Sequence, residues 1–343
     1  MAADPWRLHG GAIAAAAHSF GIPASDWLDL STGISPLSFP VPPLPAQTWH
    51  SLPDAAAVTR LQTVAAAYYC APGPACVLPV AGTQAAIQWL PRILGPAQDT
   101  AILAPTYAEH ARAWIAAGHR VHLVARAEDV PAVCRTVVIV NPNNPDGRVL
   151  TPAQLLALAE HRCVVVDEAF ADGMPEVSVA GRCERAPLIV LRSVGKFFGL
   201  AGLRLGFVIA EPALIGRLAE AQGPWAVSGP ALAIGIEALA DSRWIATARD
   251  TLASVARRLD RLLAAAGLAV IGGTDLFRLV ADADAAALFE HLARTGILVR
   301  PFTDQPHWLR FGLPGDDASF ARLEAALSAW PAAMLALLRA VNT

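Results

Sequence analysis

The run Thr136-Val-Val-Ile-Val140, followed at once by Asn141-Pro-Asn-Asn-Pro-Asp-Gly147, decides the fold. An unbroken β-branched run with no polar alternation fits a strand buried on both faces, as in a parallel sheet covered by helices. The Pro- and Gly-containing polar stretch after it ends the strand and occupies its carboxyl end. The same pattern repeats outward. Thr100 to Leu103 is short and apolar and stops at Pro105, and Arg120 to Val124 is a further strand candidate. Cys163 to Val166 runs into Asp167, Leu188 to Leu191 runs toward Ser193, and Gly206 to Ala210 completes the set. Leu61 to Tyr69 reads as a helix, and so does Pro152 to Glu160, opened by Thr151 as N-cap. Strands alternating with helices predict an α/β domain with a mainly parallel sheet. Ligands of such sheets sit beyond the carboxyl ends of the strands. Asn141, Asp167, Ser193 and Lys196 all gather there.

Beyond about Pro224 the pattern changes. Long Ala/Leu/Arg helices cover roughly Pro230 to Ala266. Short strands follow near Leu268–Ile271, Leu276–Val280 and Trp308–Phe311, and a last helix is expected from about Asp317 to Arg339. This predicts a smaller α+β domain. The first 50 residues, with Pro at 36, 40, 42, 43 and 45, read as an extended arm that packs with it. The expected organisation is an arm over 1–50, a large domain over 51–223 and a small domain over 224–343. The length, 343 residues, agrees with two domains at roughly 150 residues each.

Composition narrows the class. Hydrophobic residues make up 55% and charged residues 16%, which allows a large core and argues against intrinsic disorder. A net charge of −3 with scattered arginines argues against a nucleic-acid surface. Mean hydropathy is +0.43, yet the longest charge-free stretch, Leu61 to Pro91, is interrupted by Pro, Gly and Gln and does not read as a membrane span. Ala14 to Ala17 is too short for a signal-peptide core, and Asp4 lies upstream. These features predict a soluble cytoplasmic protein. Cys70, Cys76, Cys134, Cys163 and Cys183 form no CxxC pair, which argues against a disulfide framework and against a zinc site; no metal is expected.

One count is sharper. Of the 26 basic side chains, 25 are Arg and one is Lys, Lys196. On a solvated surface Arg replaces Lys readily. It cannot do so where an amine must lose its proton and attack a carbonyl. Lys196 sits in Ser193-Val-Gly-Lys196 beside the apolar pair Phe197-Phe198.

Taken in order, Asn141-Pro-Asn-Asn-Pro-Asp-Gly147, Asp167-Glu-Ala-Phe170, Ser193-Val-Gly-Lys196 and Gly199-Leu-Ala-Gly-Leu-Arg-Leu-Gly206 resemble the fold-type I pyridoxal-phosphate enzymes, the aspartate aminotransferase-like superfamily. The resemblance is clear over about Gly82 to Gly206. It implies the fold-type I transferase fold, pyridoxal 5'-phosphate as cofactor and a homodimer. It implies that Lys196 holds the cofactor covalently and moves protons, and that Asp167 faces the pyridine nitrogen and keeps it protonated. Asn144 then binds the phenolic oxygen, with turn formation as its alternative role. Tyr107, in Pro105-Thr-Tyr, stacks on the ring or is a core aromatic. Gly82-Thr83-Gln84 opens a helical run whose N–H groups suit a phosphate. Ser193 and Arg204, which is eight residues after Lys196, match the other phosphate ligands.

The substrate has to be argued separately. Arg310, in Trp308-Leu-Arg-Phe, matches the arginine that pairs with a substrate α-carboxylate, for which a planar fork is suited. Arg300, in Gly296-Ile-Leu-Val-Arg, is a second anion ligand or a solvated strand end. His9-Gly10-Gly11, Leu28-Asp-Leu-Ser-Thr-Gly-Ile-Ser-Pro36, Trp49-His-Ser-Leu-Pro-Asp54 and Tyr68-Tyr69 resemble the threonine-phosphate decarboxylases of cobalamin biosynthesis, a group similar to histidinol-phosphate aminotransferases. That resemblance implies conversion of L-threonine O-3-phosphate to (R)-1-aminopropan-2-yl phosphate and CO2. His9 and Ser35 would contribute to substrate binding, with His9 on the phosphate. Three positions depart from the wider pattern: Ser35 stands for Asn, Phe170 for Tyr, and Leu52 for a Tyr before Pro-Asp. They weaken a transaminase reading more than a pyridoxal-phosphate one. The rival expectations are an aminotransferase, such as one for histidinol phosphate, and a non-catalytic pyridoxal-phosphate-binding protein.

Overall fold

The computed structural model describes residues 10–184 and 186–330. In chain order the strands are Leu28–Asp29 (β1), Val77–Val80 (β2), Asp99–Leu103 (β3), Arg120–Val124 (β4), Thr136–Val140 (β5), Cys163–Asp167 (β6), Leu188–Ser193 (β7), Gly206–Ile209 (β8), Ala269–Thr274 (β9), Phe277–Ala281 (β10), Ile297–Leu298 (β11), Arg300–Pro301 (β12) and Trp308–Gly312 (β13).

Contacts divide the chain into two units: Leu37–Leu252, and the chain up to Pro36 together with the chain from Ala253. These divisions differ from the sequence expectation of 50 and 223. Residues after Pro36 bond within the larger unit, where Phe39 N–H donates to the Phe198 carbonyl and its ring meets Trp244. The other division falls inside the helix Ser242–Ala265.

The larger unit is built on a seven-stranded sheet of order β2-β8-β7-β6-β5-β3-β4. Strands β4, β3, β5, β6 and β7 pair in parallel, and β8 runs antiparallel between β7 and β2. This is the mainly parallel α/β architecture that the β-branched runs predict. Strand β5 is buried along its whole length, as that run requires. Ile102, Val138, Val165 and Leu191 of the sheet pack with Leu90, Trp114 and Leu214 of the covering helices. Strand β2 carries Pro79, which has no N–H to donate, and it lies at the sheet edge where that is tolerated. The helix Ala55–Tyr68 starts earlier than expected because Asp54 caps it, accepting from Ala56 N–H.

In the smaller unit β12-β13-β10-β9 form an antiparallel sheet, and β1 pairs in parallel with β11. The long helical run expected over Pro230–Ala266 is two helices, Gly229–Ala240 and Ser242–Ala265. They part at Asp241, whose carboxylate accepts from Trp244 N–H. The last described helix is Asp317–Ser328, so the remainder of the expected C-terminal helix lies outside the described residues. Among the described residues no helix is long and apolar enough to cross a membrane.

Candidate active site

Each polar residue singled out near Lys196 lies at the carboxyl end of a strand or in the turn after it. Strand β2 leads into Gly82, at φ +78° the uncapped entry to the helix Thr83–Ile93. The first N–H groups of a helix have no partner within it and suit an anion. A Cβ at Gly82 would lie 2.7 Å from Nη2 of Arg204, so that guanidinium rests against the bare backbone of the turn. Arg204 itself holds φ +54°, a left-handed conformation that costs an L-residue on the order of 1–2 kcal/mol. At Gly206 a Cβ would lie 2.8 Å from Thr83 N, so the start of β8 packs directly on the same turn.

Asp167 ends β6 and is 4% exposed. One carboxylate oxygen accepts from Ala169 N–H at 3.0 Å, and the other lies 3.0 Å from Nε2 of His110. His110 is buried on the helix Glu109–Ala116. Tyr107 lies just before that helix, and its ring meets the His110 ring edge-on with centroids 6.1 Å apart. The sequence reading missed it because a lone His carries no motif. Tyr107 donates through its hydroxyl to Gln84 Oε1 at 3.1 Å, and Gln84 Nε2 donates to Glu109 at 3.4 Å. Gln84 therefore serves the ring position as well as the helix start.

The Asn-rich turn divides its labour. Asn141 is buried and exchanges two hydrogen bonds with the Leu150 backbone. Asn143 accepts from Thr106 Oγ1 and donates to the Pro105 carbonyl, which ties this turn to the loop carrying Tyr107. Asn144 is half-buried, whereas Asn141 and Asn143 are fully buried. Ser193 ends β7 and accepts from Gly195 N–H at 3.2 Å, capping the short helix Val194–Phe197 that carries Lys196. Lys196 is half-buried, with Nζ 5.7 Å from the Phe170 ring centroid.

The smaller unit holds the two arginines. Arg300 and Arg310 are directly opposite partners of β12 and β13. Like charges in such a pair destabilise a sheet unless something negative meets them. Arg310 is 7% exposed and donates to the Ser31 carbonyl at 2.9 Å. Burial and the facing Arg300 push its pKa down to about 9, with Asp29 acting in the opposite sense. Ser35 is buried in the same unit. His9 lies outside the described residues.

A model of the family described as aminotransferase class I and II matches residues 44–327. The chain belongs to that family. Its similarity to a threonine-phosphate decarboxylase of Pseudomonas aeruginosa is 47% identity, covering 93% of this chain and 96% of the relative. With a threonine-phosphate decarboxylase of Sinorhizobium sp it is 48%, over 94% and 97%. Among solved structures, the histidinol-phosphate aminotransferase of Sinorhizobium meliloti, in complex with pyridoxal-5'-phosphate, superposes with a TM-score of 0.81 at 22% identity. The match covers 92% of each chain and establishes the fold-type I transferase fold.

Proposed function

We propose that this protein decarboxylates L-threonine O-3-phosphate to (R)-1-aminopropan-2-yl phosphate and CO2, a step of cobalamin biosynthesis. The observation that carries the reading is its similarity, over more than nine-tenths of its length, to two threonine-phosphate decarboxylases. The facing pair Arg300 and Arg310 supports it, because the substrate has two anionic ends.

Pyridoxal 5'-phosphate is the cofactor, and the residues present fit it. The bare Gly82 backbone and the Arg204 guanidinium beside it suit the phosphate. The buried Asp167 carboxylate, backed by His110, suits a pyridinium N–H. Lys196 is the one side-chain amine of the chain. When bound, the cofactor supplies a sink for the electron pair released as CO2 leaves.

The protein residues do the rest. Thr83 and Gln84 N–H groups, Ser193 and Arg204 would hold the cofactor phosphate, Asn144 its phenolic oxygen, and Tyr107 would stack on its ring. Asp167 holds a proton on the pyridine nitrogen. Arg310 would orient the substrate carboxylate and so set the direction in which the Cα–C bond breaks. Arg300, with His9 and Ser35, holds the substrate phosphate. That grip has a chemical purpose, since the phosphate is β to the carbon that gains electrons and would otherwise be expelled. Holding its C–O bond out of line with the electron pair left at Cα would remove the overlap that expulsion needs. As the carboxylate carbon departs as CO2, Lys196 would deliver a proton to Cα.

The site is completed in a homodimer in the cytoplasm. Val41, Trp49 and Leu52, large apolar side chains exposed on one segment, support a partner surface there. The reading is tested by incubating cofactor-loaded protein with L-threonine O-3-phosphate and no keto acid. Stoichiometric CO2 and aminopropanol phosphate are expected. Amino transfer that requires 2-oxoglutarate, without CO2, would overturn it.

A further inference from the structure

Behind the cofactor-facing residues lies a buried charge cluster that the mechanism above does not use. Arg192 is 3% exposed and donates to Glu168 at 2.8 Å and to Asp172 at 2.9 Å, both themselves buried. Asp172 also accepts from the Tyr68 hydroxyl at 2.9 Å, and its backbone carbonyl accepts from Arg249 Nε at 2.7 Å. Glu168 accepts from Ser178 Oγ and from Val179 N–H. The Tyr69 ring lies 4.5 Å from the Arg192 guanidinium carbon.

Stability alone does not account for such a cluster. Buried ion groups are matched or exceeded by apolar packing of the same volume. Here one cation faces two carboxylates. Arg192 Nε, Asp172 Oδ2 and the Tyr69 hydroxyl have no hydrogen-bond partner among the described residues.

Its place in the sheet gives it a use. Asp167 and Leu191 are the last paired residues of β6 and β7, and one further bond runs from Glu168 N–H to the Leu191 carbonyl. Past that point the parallel ladder stops, and Arg192 and Ser193 keep only the antiparallel pairing with β8 that runs along β7 from Val190. Side chains alternate along strands, so Asp167, Leu191 and Ser193 share one face. Glu168 and Arg192 share the other. Each clamp residue is therefore the chain neighbour of a cofactor-facing one: Glu168 of Asp167, and Arg192 of Ser193, three residues before Lys196. The side-chain fork spans the two strand ends where backbone pairing has run out.

We infer that Arg192, gripped by Glu168 and Asp172, is a positioning residue that fixes the spacing between Asp167 and the Ser193–Lys196 turn. The inference rests on the cofactor reading above, though not on the identity of the substrate. A guanidinium that bonds one carboxylate through each terminal nitrogen holds both in its rigid plane, which an ammonium does not. Arg192→Lys keeps the charge and loses the fork.

The test compares wild-type and Arg192→Lys holoenzymes in three ways: cofactor dissociation, the pH midpoint of the bound-cofactor absorbance, and the split of kcat against KM. The expected result is a kcat lower by about tenfold or more, as for a misplaced reacting group, with KM within about threefold. Faster cofactor loss and a displaced absorbance midpoint accompany it. Tyr68→Phe removes one bond to Asp172, keeps the ring, and shifts the same quantities by less; it decides the matter if Arg192→Lys does not fold. A lowered melting temperature with unchanged cofactor affinity, absorbance midpoint and kcat in both variants overturns the inference. A wild-type enzyme that binds no cofactor fails the cofactor reading itself, and the two failures are told apart by that control.

Discussion

Lys196 is the one side chain in this sequence able to bond covalently through an amine, so its removal has a sharp signature. In Lys196→Ala the visible absorbance of covalently held cofactor disappears and CO2 formation falls to background, while the melting temperature of the apoprotein stays close to wild type. Asp167 acts by charge. Asp167→Asn retains the shape and the contact to His110 but no longer stabilises a pyridinium. Its kcat is expected to fall by about 10²–10³, the scale seen when one electrostatic contact to developing charge is lost. Arg300 acts by geometry. In Arg300→Ala the inorganic phosphate released per CO2 should rise, measured by phosphate assay against CO2 trapping, and an unchanged ratio would remove Arg300 from that role. At this scale the sequence was legible where chemistry demands a residue type: an amine, a carboxylate after a buried strand, a glycine at a helix entry. His110 was not legible, because its meaning comes only from the 3.0 Å approach to Asp167 across 57 residues of chain. The same holds for Arg192, whose partners Glu168 and Asp172 lie in the turns that follow β6.

Secondary elements position these groups, and their ends obey local rules. Thr151 and Gln154 form a reciprocal capping box at the start of Pro152–Ala159. Thr151→Ala should cost about 1 kcal/mol in thermal or denaturant unfolding and leave kcat unchanged. The strands β3 to β8 were readable because continuous β-branched and apolar runs can hardly be anything else in a chain that alternates with helices. Strand β2 was not read, since Pro79 argues against a strand until its edge position is known. The break at Asp241 was also hidden, as the Ala/Leu pattern continues through it and only the capping bond to Trp244 marks it. The contact boundary at Leu252 had no composition shift to announce it, and the one at Pro36 falls within a Pro-rich stretch that reads as one continuous arm. They follow from which partners each segment finds.

For the molecule as a whole, charge placement matters more than net charge. Arg300 and Arg310 face each other in β12 and β13, and Arg310 is buried. Its pKa is pushed down to about 9 from the ordinary 12.5, so the folded state disfavours the cation relative to the unfolded chain. The penalty is full at neutral pH and is relieved only as pH rises from about 9 toward 12.5, the range in which the folded state binds fewer protons than the unfolded chain. A carboxylate ligand offsets it only while the cation persists. Two consequences follow from that sign. Substrate or phosphate should raise the melting temperature at pH 7 and do so less above pH 9. The alkaline limb of kcat/KM, which reports the free enzyme, should fall near pH 9, whereas kcat, which reports the loaded enzyme, should hold to higher pH.

The central claim is that this aminotransferase-class protein removes CO2 and does not exchange an amino group. Phosphorus-31 and proton NMR of one reaction in D2O, with L-threonine O-3-phosphate and no keto acid, tests it most directly. Conversion to aminopropanol phosphate carrying one deuterium at the former Cα is expected, with no free phosphate and no ketone. An unchanged substrate spectrum that moves only when 2-oxoglutarate is added would contradict it.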